Sequence, residues 1–264
     1  MRFDVVTLFP EMIQQGLAFG MPARAQKVQA LQVQTWNPRE YASDAYRSVD
    51  ERPYGGGPGM VMMIEPLQST LRAVRAADPE PARICFLSPQ GPRLSQQRVH
   101  QIAQRKRMIL LCGRYESVDQ RLLDCHVDEE LSLGDFVLSG GELAALAVID
   151  AVARLLPGVL NHPQSAQQDS FSDGLLDCPH FTRPERDPLG RVPEVLLGGD
   201  HAAIARWRRR AALGNTWLKR PDLLTGAKLN DVDRRLLSEF IADYAEQAKL
   251  IASQSSESMP GSAR

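Results

Sequence analysis

One segment of the sequence combines small residues, a serine and an acid in a way that suits the binding of a small polar ligand. The run from Ser132 to Glu142 reads Ser-Leu-Gly-Asp-Phe-Val-Leu-Ser-Gly-Gly-Glu and leads directly into the apolar stretch Leu143 to Leu156. Glycines allow the main chain to approach a ligand closely and to present its N–H and C=O groups to it. The segment therefore predicts a ligand-binding loop that opens a helix.

Two charged residues downstream could add chemistry to such a site. Arg154 stands near the end of the apolar stretch, and Asp169 stands in the polar run Gln167 to Asp173. A cation and a carboxylate beside a small-molecule pocket are typical of acid–base catalysis. Alternatives stay open, because Asp150 is spaced to pair with Arg154 along a helix, and Asp169 could be a helix cap or a solvated carboxylate.

Two further loops share the character of the first, because each follows an apolar run and contains glycine. They are Leu87 to Gly91 and Cys112 to Glu116. In open α/β sheets, ligands bind beyond the carboxyl ends of the strands, where such loops converge. The pattern predicts one site built from three loops, and three unrelated turns are the alternative.

A glycine-rich run, Arg52 to Met60, matches no nucleotide-binding motif. It lacks the GxGxxG spacing and is interrupted by Pro58, and the chain contains no GxxxxGK[ST] loop. Two interpretations stay open. The run is either a surface turn, as its composition suggests, or a loop that closes over a bulky substrate.

The composition is that of an ordinary globular protein, with 264 residues, 43% hydrophobic and 24% charged, and a formal net charge of -1. The four cysteines form no CxxC pair and have no histidine at metal-ligand spacing, so we predict no metal site, and we predict that Cys85 and Cys112 are buried thiols.

No segment has the apolar length that spans a bilayer. Pro10 ends the first apolar run, which indicates a strand rather than a signal peptide. We therefore expect a cytoplasmic protein.

Short β-rich runs alternate with helical stretches in the first 160 residues, which indicates βαβ units and a largely parallel sheet. The predicted strands are Phe3 to Phe9, Leu31 to Trp36, Arg83 to Leu87, Met108 to Cys112 and Asp128 to Leu133. The predicted helices are Pro66 to Ala77, Ser95 to Arg107, Glu116 to Asp124 and Glu142 to Leu156.

The pattern changes after Pro157, because residues 157–174 are polar and aperiodic, which is typical of a linker. Two amphipathic helices are predicted beyond it, at His201 to Leu213 and at Asp231 to about Leu250.

The first of these two helices is basic. It carries four arginines between Arg206 and Arg210, and no acidic residue occurs between His201 and Pro221. Such a run is most often a solvated helix face. Beside Trp207 and Trp217 it could equally contact phosphates and stack bases.

The sequence resembles one family closely, the bacterial tRNA (guanine-N1)-methyltransferases of the TrmD family, which belong to the SPOUT class. The likeness extends in order over about residues 1 to 245. The matching motifs are Arg52 to Met63, Leu87 to Gly91, Cys112 to Glu116, Ser132 to Glu142, Ile149 to Arg154, Pro157 to Leu160, Asp169 to Pro184, Arg206 to Arg208 and Thr216 to Leu224.

The resemblance implies an α/β fold, in which a parallel sheet has helices on both faces and the C-terminal part forms a trefoil knot, followed by a small helical domain. General rules of topology make knots nearly absent, so only the resemblance points to one. The implied domains are a SPOUT methyltransferase domain over 1–160 with its knot at about 85–160, a flexible lid over 161–175, a helical tRNA-binding domain over 176–250 and a disordered tail over 251–264.

The resemblance also implies S-adenosylmethionine as the cofactor, bound in a bent form against the knot loops. Mg²⁺ dependence is a further property of the family, although no group of residues in the sequence identifies its ligands. The cofactor-binding residues carried over from the family are Phe86, Leu87, Ser88, Pro89, Gly113, Glu116, Ser132, Leu133, Gly134, Asp135, Phe136, Val137, Leu138, Gly140 and Gly141.

The implied reaction is methylation of guanine N1 at position 37 of tRNA, next to the anticodon and with a guanosine preferred at position 36. Guanine N1 carries a proton, so Asp169 is expected to remove it as general base while Arg154 stabilises the charge that gathers on O6. The enzyme is expected to be a homodimer in which each active site is completed by the other subunit. The residues expected to contact tRNA are Gly55, Gly59, Arg183, Arg206, Arg208 and Lys219.

Two other functions stay open: a SPOUT methyltransferase of ribosomal RNA or of a ribose hydroxyl, which would not need Asp169 as base, and a non-catalytic RNA-binding protein. The chain also departs from the family pattern at four positions. Tyr46 stands in place of an expected His, Phe136 in place of a Tyr that could bond the cofactor, Ala144 in place of a Pro, and Gln168 in place of an acid.

Overall fold

The computed structural model describes residues 1–160 and 169–257, and side chains as far as Lys249. Its contacts divide the chain into an N-terminal unit, Met1–Ala166, and a C-terminal unit, Gln167–Arg264. Each unit has its own hydrophobic core.

The described part of the N-terminal unit is built on a five-stranded sheet with the order β2-β1-β6-β5-β7, in which all neighbours are parallel. A small antiparallel pair, β3 and β4, lies outside it. The elements are β1 (Arg2–Val6), α1 (Pro10–Gly16), α2 (Gly20–Lys27), β2 (Gln32–Trp36), β3 (Asp50–Glu51), β4 (Val61–Met62), α3 (Ile64–Ala76), β5 (Arg83–Leu87), α4 (Gln96–Ala103), β6 (Arg107–Cys112), α5 (Gln120–His126), β7 (Glu129–Leu131) and α6 (Glu142–Ala153).

Both faces of the sheet are buried, as expected for parallel strands that read as continuous apolar runs. Alternate residues of β6 enter two cores, with Met108 and Leu110 on one side and Ile109 and Leu111 on the other. The first core also contains residues of α1, α2, α4 and α6, and the second contains residues of α3 and α5. The predicted α/β fold, a parallel sheet flanked by helices, is therefore confirmed, whereas the knot stays a prediction.

A buried ion cluster joins the starts of β1 and β6. The carboxylate of Asp4, which has no exposed surface, accepts hydrogen bonds from Arg2, from Arg107 Nε at 2.8 Å and from Trp36 Nε1 at 2.9 Å. Arg107 also donates to the carbonyl oxygen of Val74 at the end of α3. Each charged group in the cluster has ionic or hydrogen-bonding partners, which offset the free-energy cost of removing it from water.

The described regular structure of the C-terminal unit is helical apart from one short hairpin. Its described elements are β8 (Arg186–Asp187), β9 (Gly190–Arg191), α7 (His201–Lys219), α8 (Pro221–Gly226) and α9 (Asp231–Glu257). α7 packs on α9 around Leu213 and Leu236, and a side chain at Gly214 would collide with the ring of Phe240. Arg209 links the two helices through paired hydrogen bonds of 2.7 and 2.9 Å to Asp233.

The predicted elements correspond to observed ones, but several boundaries differ. The strand at Arg83–Leu87 has the predicted limits, and the first strand ends at Val6 rather than Phe9. The helix predicted from Glu116 begins at Gln120, because Tyr115 and Ser117 have φ of 59° and 149°, which no helix accommodates.

The C-terminal helices are longer than predicted. α7 continues past Leu213 to Lys219, and α9 continues past Leu250 to Glu257, into the predicted tail. Most of the predicted lid, residues 161–168, and the rest of the tail, residues 258–264, lie outside the described residues.

Candidate functional site

The three loops identified in the sequence follow three neighbouring parallel strands, β6, β5 and β7, at their carboxyl ends. Main-chain hydrogen bonds connect the loops directly. Ser88 N donates to Leu131 O at 3.0 Å, and Gly141 N donates to Gly113 O at 3.0 Å. The loops therefore form one assembly, as the spacing in the sequence predicts.

Glycine is required in these loops because one loop packs on another. A Cβ atom at Gly141 would lie 2.7 Å from Cys112 Cα, and one at Gly113 would lie 2.9 Å from the ring of Phe86. The sequence predicts that these glycines let a ligand approach the main chain closely. The structure adds that they also permit close approach of the loops themselves.

A cleft opens between the three loops and encloses about 790 Å³, its open side included. All of the predicted cofactor-binding residues line it except Asp135, which is exposed and pairs with Arg93 at the surface. The cleft is also lined by residues outside the predicted cofactor-binding set: Gln90, Arg114, Tyr115 and Ser139, which lie within the three predicted loops, and Ser117, Leu131 and Ala144, which do not.

Among the cleft residues outside the predicted cofactor-binding set, Arg114 makes contacts with three different elements of the site. Its Nη2 lies 2.9 Å from the buried Glu142 Oε2, its Nη1 donates to the Ser139 carbonyl at 3.1 Å, and its guanidinium carbon lies 4.3 Å from the centre of the Phe9 ring. Thr7 Oγ1 donates to the other oxygen of Glu142 at 2.7 Å. The pairing could not be predicted from the sequence, because its partners lie far apart along the chain.

The cysteines near the cleft are inert. Burial raises the pKa of the Cys85 thiol to about 12, and burial raises that of Cys112 well above its usual value. Both thiols therefore stay protonated at neutral pH and are poor nucleophiles. The prediction that they are buried thiols is confirmed.

The glycine-rich run forms an exposed loop whose backbone needs glycine. Gly55 and Gly59 have φ of 85° and 82°, and the side chain of Tyr54 is fully exposed. A Cβ atom at Gly59 would collide with the carboxylate of Glu116, which lines the cleft. The loop therefore borders the cleft at Gly59, whereas Gly55 has open space around it.

The two predicted catalytic residues belong to different units. Arg154 is the half-buried C-cap of α6, and its backbone N–H donates to Asp150 O at 3.3 Å. Asp169 lies at the start of the described C-terminal unit, where it lines a cavity together with Asp173, Asp177 and residues of α7.

The arginine run of α7 is largely neutralised by acids of α9. Arg206 pairs with Glu239 at 2.8 Å, Arg209 pairs with Asp233, and Arg210 pairs with Asp243. Among the expected tRNA contacts, Arg183, Arg208 and Lys219 have no carboxylate oxygen within 4.0 Å in the described part of the chain. The sequence showed no acids nearby because the acids lie on another helix.

A cluster of possible metal ligands occurs in the C-terminal unit. Asp177, Cys178 and His180 place a carboxylate, a thiol and an imidazole within 4.8 Å of one another. The carboxylate already accepts hydrogen bonds from Cys178 N at 2.6 Å and from the His180 ring at 2.8 Å, and burial raises the pKa of the Cys178 thiol. This donor set does not fit Mg²⁺, which prefers oxygen ligands.

The fold and the cleft together define a class: an α/β protein with an open cleft where three loops converge beyond a parallel sheet, the place where such folds bind ligands. A family model described as tRNA (Guanine-1)-methyltransferase TrmD matches residues 1–226. The chain belongs to this family. No helix in the described residues is long and apolar enough to cross a membrane.

Curated relatives agree with the family model along nearly the whole chain. A protein of Halorhodospira halophila (strain DSM 244 / SL1), named tRNA (guanine-N(1)-)-methyltransferase, is 57% identical over 248 residues, which are 94% of each chain. Proteins with the same name are 58% identical over 93% of this chain in Xanthomonas oryzae pv. oryzae (strain PXO99A) and 56% identical over 94% of it in Burkholderia multivorans (strain ATCC 17616 / 249), covering 96% of each relative.

Proposed function

We propose that the protein transfers the methyl group of S-adenosylmethionine to N1 of guanine 37 in tRNA, next to the anticodon. One observation carries the proposal: the three-loop cleft brings together all but one of the residues expected from the resemblance to bind the cofactor, in a chain whose relatives are named tRNA (guanine-N(1)-)-methyltransferases.

The chemistry of the cleft suits S-adenosylmethionine. Its walls combine apolar side chains, such as Phe86 and Leu138, with closely packed main chain that offers polar groups to an adenosine. The carboxylate of Glu116 favours a cationic ligand. The cofactor supplies an electrophilic methyl group on a sulfonium.

Asp169 and Arg154 have different roles toward the guanine, one as general base and one as the cation that stabilises negative charge. Guanine N1 is a poor nucleophile while it carries its proton. Asp169 therefore accepts that proton as N1 attacks the methyl carbon of the sulfonium. Removal of the proton leaves negative charge on O6, and the guanidinium of Arg154 stabilises it. The C-terminal unit holds the tRNA, with guanosine 36 preferred beside the target, and the reaction takes place in the cytoplasm.

A homodimer would complete each active site. The cleft loop and the start of α6 expose apolar side chains, namely Phe136, Val137 and Leu143, of which Val137 is 84% exposed. Adjacent exposed apolar residues favour burial against another protein surface. This supports a second copy of the chain as the partner, and it is the arrangement expected around a knotted SPOUT domain.

The test is methyl transfer from labelled S-adenosylmethionine to a tRNA carrying G36 and G37, compared with the same tRNA carrying A37. We expect label only at m¹G37. Asp169→Asn should lower kcat by roughly 10²–10⁴-fold, the usual contribution of a general base, and cofactor affinity measured by calorimetry should not change. Asp173→Asn, which removes a carboxylate from the wall of the same cavity, is the matched control.

Two results would contradict parts of the proposal. Full activity of Asp169→Asn would remove Asp169 as the base and favour transfer to a ribose hydroxyl. Tight cofactor binding without transfer to tRNA would direct the search to ribosomal RNA.

A further inference from the structure

The C-terminal unit contains an open groove that the proposed reaction does not use. Its floor and walls come from the exposed segment Pro179–Glu185, from the turn at Val192–Leu197 and from α7. The groove encloses about 1830 Å³, its open side included. Because it is open to solvent, a segment of a polymer can lie in it.

The groove presents an aromatic surface to its opening. The rings of Phe181 and Trp207 lie 6.1 Å apart and are inclined at 58° to each other. Phe181 is 48% exposed, although it is a large apolar side chain. A flat ligand can therefore reach this ring, and aromatic rings bind flat ligands by stacking.

The groove is also positively charged. Arg183 and Arg208 line it, and neither has a carboxylate oxygen within 4.0 Å in the part of the chain that the structure describes. The acid in the wall, Glu185, is paired with Arg191 at 3.2 Å. Elsewhere on α7 the arginines are paired with acids of α9, so Arg208 differs from its neighbours in being available to a ligand.

The groove adjoins the cavity of the proposed general base. His180 and Arg208 line both the groove and the cavity that contains Asp169. All of these residues belong to the C-terminal unit. A polymer that places one residue beside Asp169 therefore has its next residue at the groove.

We propose that this groove binds an unpaired nucleotide that neighbours the target guanosine in the anticodon loop. The base stacks on the exposed ring of Phe181, which packs against Trp207, and the guanidiniums of Arg183 and Arg208 bond the flanking phosphates. Stacking surfaces with adjacent cations are the common solution for single-stranded nucleic acid. An apolar peptide would not explain the two unpaired arginines. The proposal rests on the proposed function, since it takes tRNA as the substrate.

The first test separates stacking from charge with two variants. Phe181→Leu keeps an apolar side chain but removes the ring, and Arg208→Gln removes one cation. Each should weaken binding of the G36–G37 tRNA about tenfold, measured by fluorescence anisotropy, with cofactor affinity unchanged. Arg208→Gln should lower the slope of log K against log salt by about 1, whereas Phe181→Leu should leave it unaltered. Arg220→Gln removes a cation of the same unit that is paired with Asp222, and it should have no effect.

A second test uses Trp207 as a reporter. In the full chain carrying Trp36→Phe and Trp217→Phe, Trp207 is the remaining tryptophan. An anticodon stem–loop oligonucleotide should quench its fluorescence, and a fully paired RNA duplex of equal charge should not. Thermal unfolding of each variant establishes that it is folded.

The outcomes distinguish this inference from the proposed function. Unchanged tRNA affinity in folded Phe181→Leu and Arg208→Gln would overturn the proposal that the groove binds a nucleotide. A change in molecular mass of these variants by light scattering, without a change in RNA affinity, would mean that a second copy occupies it. RNA binding that depends on Phe181, without formation of m¹G37, would support nucleotide binding in the groove and contradict the proposed methylation of guanine 37.

Discussion

At the residue scale, the least expected feature of the site is the pair formed by Arg114 and Glu142. Glu142 is 1% exposed and begins α6, where a carboxylate is favoured by the helix dipole but still needs a cation when buried. Arg114 supplies it and at the same time binds the carbonyl of Ser139 in the cleft loop. The pair therefore couples the shape of the cleft loop to the start of α6.

Removal of the cation should damage both stability and cofactor binding. Arg114→Gln leaves a buried carboxylate unpaired, which costs about 3–5 kcal/mol, and it releases the Ser139 loop. We expect a lower urea midpoint and weaker S-adenosylmethionine binding by calorimetry. The double variant Arg114→Gln with Glu142→Gln should recover much of the stability, because no charge is left buried. Equal losses in the single and double variants would contradict the pairing.

At the element scale, the sequence predicted the sheet well because parallel strands are apolar on both faces. The runs at Arg83–Leu87 and Arg107–Cys112 have no polar alternation to confuse them with surface strands. The helices α1 and α2 were missed, since each has eight residues or fewer and α2 begins at a glycine, Gly20. Such helices depend on packing against α6 rather than on their own propensity.

The loops of the site could also be predicted from the sequence, for a physical reason. Loops that follow strands are fixed by chain order, so the residues of the cleft could be grouped from sequence. Pairings between distant elements could not. Arg209 was expected on a basic face, yet it bonds Asp233 of α9 and Asp173.

The Arg209–Asp233 connection between α7 and α9 predicts a pH dependence. Hydrogen bonds from Arg209 hold the pKa of Asp233 below its usual value. The folded chain therefore takes up this proton less readily than the unfolded chain. The stabilisation is complete above the unfolded pKa, about 3.9, and it is lost as the pH falls through the lower pKa of the folded state.

Asp233→Asn should accordingly destabilise the protein by about 2 kcal/mol near neutral pH, the scale of hydrogen bonds to charged groups. The difference from wild type should shrink below pH 4, and thermal unfolding between pH 3 and 7 measures it. Asp231→Asn is the control, since Asp231 is fully solvated and pairs with Arg234 on its own helix. A difference that stayed constant with pH would show that Asp233 acts by packing alone.

At the scale of the whole molecule, the division of Arg154 and Asp169 between two units makes the proposed dimer testable. If Arg154 of one subunit works with Asp169 of the partner subunit, each single variant is inactive as a homodimer. A mixed dimer of Arg154→Ala and Asp169→Ala chains then has one site in which both groups are intact and one in which both are missing. Random mixing in a twofold-symmetric dimer makes half of the molecules mixed, so the expected activity is about a quarter of wild type.

The measurement is methyl transfer by the two variants alone and after co-refolding in equal amounts, with dimer formation followed by light scattering. Recovery to about a quarter would establish that the active site spans two subunits. Absence of recovery in confirmed mixed dimers would place both groups of one site in a single chain. A mixture of either variant with a chain carrying both substitutions is the control, because it restores no complete site in either arrangement. The comparison therefore tests the composite site without any assumption about how the two units of one chain are arranged.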